Sequence, residues 1–465
     1  MQFINPQKVL RGMPAQGEIP PNKELVANAV RMAWPAILES FLVALVGMID
    51  TVMVSSLGAY AIAAVGLTTQ PKFIGLAVFL SLNVAISAIV ARRKGENNRV
   101  SANRVLVQAL MITVGLTILV TTLALVFADP VIRLAGSAAD THEASVTYFR
   151  IIMGGMCFNT ISLVINATQR GAGNTKIAMR TNVVSNLVNL VFNYLLIGGN
   201  FGFPALGVAG AAIATVLGSM VACGMSIYSV LHQDQFLSLR SVHRKDFRFD
   251  KLTMASITKI GSSTLAEQIF LRIGFLLYSL VVAKLGTTEF AAHQIGMNFM
   301  SISFSFGDGL SVAAVALVGQ SLGAKRKDMA KIYGSICQRL GLAFATVLCS
   351  IFIFFGRYFF MLYTGEQIIL DYGAQIMVIL AFVVFLQISQ VIFSGCLRGG
   401  GDTIFTAFVS LVSVAIIRPG AGWLFCYPLE MGLIGAWIGL FVDQAMRFCL
   451  TYFRFKSGKW LNMRV

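Results

Sequence analysis

The chain has 465 residues, of which 57% are hydrophobic and 12% are charged, and its formal net charge is +16. Soluble globular proteins are usually about a quarter charged, so this composition, with a mean hydropathy of +0.77, excludes a soluble globular fold. It indicates an all-α protein that crosses a membrane many times.

Residues 1–32 are polar, with scattered Pro, Glu and Lys, and lack the charged start, apolar stretch and cleavage site of a signal peptide. We therefore expect a cytoplasmic N-terminal segment and a first membrane helix that is retained. Apolar windows of about twenty residues, long enough to cross a bilayer as helices, follow along the chain. They predict twelve membrane helices, at 33–55, 68–91, 104–127, 144–168, 178–198, 207–231, 256–284, 290–317, 332–356, 372–396, 405–427 and 433–453.

Basic residues are concentrated in every second loop, after spans 2, 6 and 8. By the positive-inside rule, these loops and both termini face the cytoplasm, which indicates a multi-pass protein of the cell membrane. The charge therefore reports orientation, with anionic lipid headgroups rather than nucleic acid as neighbours. The alternate loops carry little more than Arg133, Lys284 and Arg357. The basic loops contain Arg92, Arg93, Lys94, Arg99, Arg104, Arg240, Arg244, Lys245, Arg248, Lys251, Lys259, Lys325, Arg326, Lys327 and Lys331.

A polar, glycine-rich phrase occurs twice, as TQRGAGNT from Thr168 and as CLRGGGDT from Cys396. An offset of 228 residues relates the two phrases, and it also relates Gly58 to Gly286, Gly95 to Gly323 and Glu39 to Glu267. Because each half holds an even number of spans, both halves run through the membrane in the same direction. We predict an N-terminal segment 1–32, two six-helix lobes at 33–231 and 256–453, a cytoplasmic linker 232–255 and a cytoplasmic tail 454–465.

Each phrase lies between two spans and predicts a hairpin of helices. We expect Arg170 and Arg398 to place positive charge near the last carbonyls of one helix, and the glycines to permit the turn. Asn174 and Asp402 are placed to cap the next helix. A phosphate-binding loop is disfavoured, because no strand precedes the phrase and no Lys-Ser/Thr follows it.

A few acidic residues fall well inside the predicted spans. A carboxylate at membrane depth costs about 2.5 to 3.5 kcal/mol on insertion scales and usually lines a functional cavity. Asp50 is the strongest candidate, because eight residues at ~1.5 Å each place it about 12 Å inside the end marked by Gly58. Glu39 and Glu267 lie near the cytoplasmic side. They either take part in transport, or only face solvent or pair with Arg272. The acids inside the spans are Glu39, Asp50, Glu267, Asp308 and Asp443.

The fifth span carries asparagines on one helical face, at Asn182, Asn186, Asn189 and Asn193. Amides facing lipid are very unfavourable, so this face must point to the interior of the bundle or to water. Asn193 and Thr215 fall at the same depth as Asp50. Such a set either holds a proton on Asp50, coordinates a hard cation through oxygen, or only joins helices.

The second half departs from the first at these positions. The offset pairs Asp50 with Tyr278, and it pairs Asn189 and Asn193 with Ile417 and Ala421. We therefore expect the coupling ion to bind in a polar first lobe. We expect a hydrophobic substrate to bind at the interface between this lobe and an apolar second lobe. Pro35 removes a backbone bond in the first helix and permits a bend there. The secondary or substrate-cavity candidates are Glu39, Glu267, Tyr278, Asn159, Gln387, Asp308 and Asn186.

The order and spacing of several phrases resemble those of the multidrug and toxic compound extrusion (MATE) transporter family, across nearly the whole chain. The resemblance implies two six-helix lobes in a V shape and cation-coupled export of organic cations or amphipathic drugs. It also implies a first-lobe cation site at Asp50, Asn189, Asn193 and Thr215, with Pro35 at the bend of the first helix. The phrases are DTVMVSSLGAYAIAAVGL from Asp50, QRGAGNT from Gln169, NLVFNYLLIGG from Asn189, FGFPALGVAGAAIAT up to Thr215, LGTTEFAAHQI from Leu285, LVGQSLGAKRKDMA from Leu317 and LRGGGDT from Leu397.

Two departures bear on the coupling ion. Position 193 is often an acid in relatives that bind sodium in this lobe, and here it is Asn193; another branch has an acid where this chain has Gln387. One deep acid favours H⁺, and Na⁺ stays open, with the four site residues as its ligands. We expect a monomer with no cofactor and no enzymatic activity. The alternative function is a lipid-linked precursor flippase, which would need a basic cavity built on Arg272, Arg418 and Arg447.

Overall fold

A computed structural model of the chain describes residues 5–10, 13–231, 236–242 and 250–463. Arg244, Lys245 and Arg248, predicted in the linker, lie outside the described residues, as do parts of the predicted N-terminal segment and tail. The described regular structure is helical throughout, so the predicted all-α multi-pass fold is confirmed. The helices of the first half are α1 Pro6–Leu10, α2 Asn22–Ser55, α3 Ala59–Gly95, α4 Arg99–Val126, α5 Ala128–Leu134, α6 His142–Gly154, α7 Met156–Gly171, α8 Thr175–Gly198 and α9 Gly207–Leu231.

The second half repeats the succession of long helices. Among the described residues, eleven helices are long and apolar enough to cross a membrane, or twelve when α6 and α7 count as one bent span. The helices of this half are α10 Lys251–Ala283, α11 Thr287–Gly323, α12 Lys327–Met361, α13 Gln367–Gly400, α14 Thr403–Ser410, α15 Arg418–Cys426 and α16 Gly432–Ser457. A π-helical segment, Leu411–Ile417, joins α14 to α15.

One predicted span is interrupted. The sequence predicts a single helix at 144–168, whereas α6 and α7 meet at Gly155 with a bend of 46°. The helix breaks where Gly154 and Gly155 follow each other, since glycine is a poor helix former. Gly155 also packs against the side chain of Val216 on α9, which leaves little space for a larger residue.

The predicted repeat appears in the local structure. α3 and α11 are both 37 residues long, and each is preceded by a glycine at the matching position, Gly58 with φ 105° and Gly286 with φ 141°. Residues other than glycine rarely adopt such backbone angles. The same backbone turn therefore opens the second long helix of each half.

The glycine-rich phrases serve packing as well as turning. A Cβ on Gly171 would meet the backbone of Ser87 on α3, and one on Gly399 would meet the backbone of Val315 on α11. These contacts are related by the 228-residue offset, so both halves use a small residue to bring two helices together. Gly173 and Gly401, with φ of 93° and 88°, then form the turn.

Two side-chain assignments in the phrases were wrong. Asn174 and Asp402 stand at the N-cap positions of α8 and α14, but neither side chain bonds the helix it precedes. The Asn174 amide donates to the side chain of Gln169 instead, and Arg454 donates to Asp402 at 2.7 Å. Arg398 lies in the last turn of α13, where its positive charge was predicted, and its side chain donates to Glu267. Other side chains thus take the place of the predicted N-cap bonds.

The chain divides into two compact units. The N-unit comprises Phe41–Gly261, and the C-unit comprises Met1–Ser40 and Ser262–Val465. The division falls inside α2 and α10, so each of these helices contributes to both units. A large core centred on α11, α12 and α13 fills the C-unit, and several smaller apolar clusters fill the N-unit.

Candidate functional site

The candidate site of the N-unit is built by the end of α2 and by the antiparallel helices α8 and α9. A Cβ on Gly210 would meet the backbone of Leu196, and one on Gly218 would meet the backbone of Ser185. These glycines let α8 and α9 approach closely, as small residues do between membrane helices. The polar side chains of the two helices therefore face each other at short range.

The four residues predicted from the sequence lie together. The Nδ2 of Asn193 donates to Oδ1 of Asp50 at 2.7 Å, and Asn189 lies within hydrogen-bond distance of Thr215, at 3.1 Å. Asn189 and Asn193 are both buried. The hydroxyl of Thr215 also lies 3.0 Å from the Ala211 carbonyl.

The orientation of the Asn189 amide follows from its surroundings. With its nitrogen towards Asp50, Nδ2 donates to both carboxylate oxygens, at 3.0 and 3.1 Å. Its oxygen then accepts from the hydroxyl and the backbone N–H of Thr215, both at 3.1 Å. In this orientation two neutral amides donate to Asp50, while the buried Oδ1 of Asn193 has no hydrogen-bond partner in the described structure.

A cavity of about 200 Å³ lies beside the carboxylate. Its polar lining comes from Asp50, Asn193, Thr215, Thr69 and Tyr148, and the rest of the wall is apolar. Asp50, Asn189, Asn193 and Thr215 together supply the carboxylate, amide and hydroxyl oxygens that a hard cation prefers. The same cavity gives the carboxylate room to exchange a proton with water.

Sequence reasoning missed two neighbours of this carboxylate. Lys72 on α3 and Tyr148 on α6 both interact electrostatically with Asp50. Lys72 had a readable signal, because it is a lysine inside the apolar window 68–91 and intramembrane charges are usually functional. Tyr148 had none, since a tyrosine in an apolar span is common in a helix core.

A family model described as MatE matches residues 35–195 and, separately, residues 264–424. The chain belongs to the MatE family. The two matches fall one in each half, as the internal repeat requires. The protein is therefore a multi-pass membrane protein of a transporter family.

Known MatE relatives match along almost their full length. A probable multidrug resistance protein NorM from Thermotoga maritima is 28% identical over 441 residues, covering 94% of this chain and 93% of the relative. The multidrug resistance protein MdtK of Edwardsiella ictaluri is 27% identical over 428 residues, covering 89% and 92%. A solved outward-facing multidrug resistance MATE transporter has a TM-score of 0.87 at 21% identity, covering 98% and 99%, and it supports the fold alone.

The other site residues predicted in the N-unit and in α2 lie apart from Asp50. Asn159 lines a second, smaller polar cavity of about 60 Å³ together with Asn182 and Arg170. Asn186 lies on α8 and is partly exposed, and Pro35 lies within α2, which is helical on both sides of it. Glu39 is buried in the C-unit part of α2.

The remaining C-unit candidates are held by neighbours. Glu267 accepts from Arg398 and, at 3.0 Å, from Thr406, so its partner is not Arg272 as the sequence suggested. Ser303 donates to Gln387 at 2.8 Å. Ser40 lies 3.4 Å from Asp308. Tyr278 is buried, and its hydroxyl donates to the carbonyl of Ala436 at 2.8 Å.

The expectation of an apolar second half was wrong. Arg418, Asp443 and Arg447 form a buried charged cluster between α15 and α16. Tyr278, which the offset pairs with Asp50, faces this cluster, with the Arg418 guanidinium 5.9 Å from its ring centre. The interior of the C-unit therefore also contains a carboxylate, but the partners of this carboxylate are arginines.

Proposed function

We propose that this protein is a proton-coupled antiporter that exports amphipathic or cationic drugs across the cell membrane, with Asp50 as the proton carrier. The printed names of the relatives, multidrug resistance proteins, support the substrate class. The observation that carries the coupling proposal is the Asp50 carboxylate, which lies beside a cavity and accepts from neutral amides.

Neutral partners allow the carboxylate to change charge. The ionised form accepts hydrogen bonds from Asn193 and Asn189. The protonated form must donate one, and Oδ1 of Asn193 is a buried acceptor without a partner. A turn of that amide would present this acceptor to the new proton, so the Asp50 carboxyl group has a hydrogen-bond partner in both charge states.

A change at Asp50 also changes how α2 is held. The bond from Asn193 joins the Phe41–Ser55 part of α2 to α8, while the Asn22–Ser40 part belongs to the C-unit. Weakening the bond by protonation frees one end of a helix that is shared by both units. In the proposed cycle, proton binding from outside and substrate binding from inside favour different positions of this helix, which couples the two fluxes.

Sodium coupling is less well supported by the same contacts. A sodium ion requires oxygens, and in the favoured orientation the Asn189 and Asn193 nitrogens point at the carboxylate. Both amides would have to turn. The flippase alternative needs a large basic cavity, whereas the cavity beside Asp50 has neither arginine nor lysine in its lining. No observation favours it.

The test is transport by the purified protein in proteoliposomes, with ethidium as the organic cation. A proton gradient imposed without sodium should drive ethidium movement, and a sodium gradient at equal pH should not. Liposomes without protein are the control. Transport that follows sodium alone would replace the proton in this proposal, and transport indifferent to both gradients would remove coupling altogether.

A further inference from the structure

The buried charged cluster of the C-unit has no part in the proton mechanism. Arg418 begins α15, and Asp443 and Arg447 lie one turn apart on α16. The side chains of Arg418 and Asp443 are 0% exposed, and that of Arg447 is 10% exposed. The cluster thus places two guanidinium groups and one carboxylate away from solvent.

The charges of this cluster do not balance. The Nε and Nη2 of Arg418 both donate to one oxygen of Asp443, at 2.9 and 2.6 Å. The Nε of Arg447 lies 3.4 Å from the other oxygen, beyond a good hydrogen bond. One carboxylate therefore faces two arginines, which leaves a surplus of one positive charge.

The nearest further acid does not remove the surplus. Glu267 acts electrostatically on Arg447, but it already forms an ion pair with Arg398 and accepts from Thr406. Asp308 also acts electrostatically on Arg398. The positive surplus is therefore local, and it belongs to Arg418, Asp443 and Arg447, which the described ion pairs join.

Several buried donors of the cluster are unused. Within the described structure, Nη1 of Arg418, Nη2 of Arg447 and Nε1 of Trp437 have no hydrogen-bond acceptor. Trp437 belongs to the same environment, since its ring contacts His293, which in turn contacts Tyr278 beside Arg418. Among the same described residues, two acceptors, Oδ1 of Asp443 and Oε1 of Gln444, are also without hydrogen bonds. The unpartnered donors, which include Nε of Arg447, outnumber them. Because buried charges and donors without partners are strongly unfavourable, the arrangement calls for an additional acceptor.

The surroundings suit the anionic end of an amphipathic molecule. Phe275 stacks on the Arg418 guanidinium with 4.5 Å between the charge and the ring centre, and Tyr278 provides a second aromatic surface. Guanidinium groups bind carboxylates through paired, charge-assisted hydrogen bonds. The π-helical turn Leu411–Ile417 directly precedes Arg418, and such turns are frequent at functional sites.

We infer that Arg418 and Arg447 form a binding site for one singly charged anionic group, in which the group supplies the missing acceptor. Its source is either the carboxylate of a zwitterionic substrate or a free halide ion. The first source extends the substrate class and rests on the proposed drug-export function. Zwitterionic amphiphiles would then bind better than the matching cations.

The test uses tetramethylrhodamine, which carries a carboxylate, and its methyl ester, which does not. Fluorescence anisotropy with the purified full chain in detergent gives the affinity of each dye in gluconate buffer. The wild type should prefer the carboxylate dye about tenfold, the scale of one charge-assisted hydrogen bond. Arg447→Gln should abolish the preference, because it leaves the balanced Arg418–Asp443 pair, and Asp443→Asn should increase it.

Two controls separate a binding role from a structural one. Arg454→Gln removes an arginine paired with Asp402 elsewhere in the C-unit and should keep the preference. Arg447→Lys keeps the charge and should keep most of it. The opposite effects of Arg447→Gln and Asp443→Asn are not expected from packing alone.

A chloride arm identifies the source. If chloride in place of gluconate raises the melting temperature of the wild type and of Asp443→Asn, but not of Arg447→Gln, the site is real and a free halide fills it. Equal affinity for both dyes, together with no chloride effect in any folded variant, overturns the inference. Because no gradient is used, this outcome is independent of whether ethidium transport succeeds.

Discussion

The two units surround their buried carboxylates with different partners. In the N-unit, Asp50 accepts from the neutral side chains of Asn189 and Asn193. In the C-unit, Glu267 accepts from Arg398, and Asp443 accepts from Arg418. Two halves with the same helical plan thus place carboxylates in opposite electrostatic settings.

From this difference we expect Asp50, rather than Asp443, to change charge during transport. Neutralising Asp443 would leave two buried arginines without a counter-charge, which is strongly unfavourable. Neutralising Asp50 removes its electrostatic interaction with Lys72, but its hydrogen-bond partners are amides, which either donate or accept. The N-unit is therefore suited to bind and release a coupling proton, whereas the C-unit holds a fixed charge pattern.

The largest expected effect is on transport by Asp50→Asn. This variant keeps the shape of the side chain but cannot carry a proton, so proton-driven ethidium efflux should fall to the level of empty liposomes. Expression and melting temperature should stay near those of the wild type. Asp140→Asn, at an exposed loop position, is the matched control and should transport normally; wild-type efflux by Asp50→Asn would refute the coupling role.

The next largest effect is on stability, and here the substitution in the C-unit should have the larger effect. Asp443→Ala removes one partner of a buried ion pair and should lower the free energy of unfolding by about 3–5 kcal/mol. Asp50→Ala removes the amide hydrogen bonds and the electrostatic interaction with Lys72, but no direct ion pair among the described residues, and should cost about 1 kcal/mol. Denaturant unfolding in micelles measures both, and equal losses would contradict the distinction between fixed and changeable charge.

A smaller effect is expected from the amide partners. Asn193→Leu removes the 2.7 Å bond to Asp50 and should slow proton-driven efflux about tenfold, since bonds to a charged group contribute about 1.5–3 kcal/mol. Gln387→Leu removes a buried amide that bonds Ser303 and no carboxylate. Its efflux rate should stay within about twofold of the wild type, and a similar loss in both variants would show general packing damage.

The smallest effect is at a partly exposed carboxylate, Asp250, which accepts from a neutral hydroxyl and lies 3.9 Å from Arg104. Asp250, before α10, has its pKa lowered mainly by the hydrogen bond from Thr253. A lowered folded-state pKa contributes stability above the unfolded value, which is lost as the pH falls through the folded one. Asp250→Asn should cost about 0.5–1 kcal/mol near neutral pH, and the melting temperatures should converge below pH of about 3.9.

Efflux by Asp250→Asn should be unchanged, because this carboxylate lies outside the membrane helices. A partly exposed carboxylate outside the membrane helices would then be insufficient for coupling. Loss of efflux in this variant would contradict the role given to Asp50, since it would assign coupling to a carboxylate outside the N-unit cavity.

The sequence predicted that Asp50, Asn189, Asn193 and Thr215 lie close together, because the geometry that relates them is mostly local. Asn189 and Asn193 are one helical turn apart, and counting residues from helix ends placed Thr215 and Asp50 at the same depth. The hydrophobic spans and the 228-residue repeat likewise predicted the helical fold. In each case the periodicity of a helix converts spacing into position.

The missed features depend on contacts between distant segments. Arg418 meets Asp443 across two helices after a π-helical turn that no periodicity indicates, and Arg398 meets Glu267 over 131 residues. Lys72 was visible as a charge in an apolar span, but its relation to Asp50 requires the packing of α3. The 228-residue offset also gave no sign that buried carboxylates are bonded by arginines in the second half, whereas Asp50 in the first half is bonded by amides.

Infrared difference spectroscopy on the purified protein, with the pH stepped from alkaline to acidic, tests the central claim most directly, because a protonated carboxyl absorbs separately from a carboxylate. We expect the wild type to gain a protonated-carboxyl band that is absent from Asp50→Asn and present in Asp443→Asn. A band that survives in Asp50→Asn and disappears in Asp443→Asn would show that the proton is bound in the C-unit, contrary to this account.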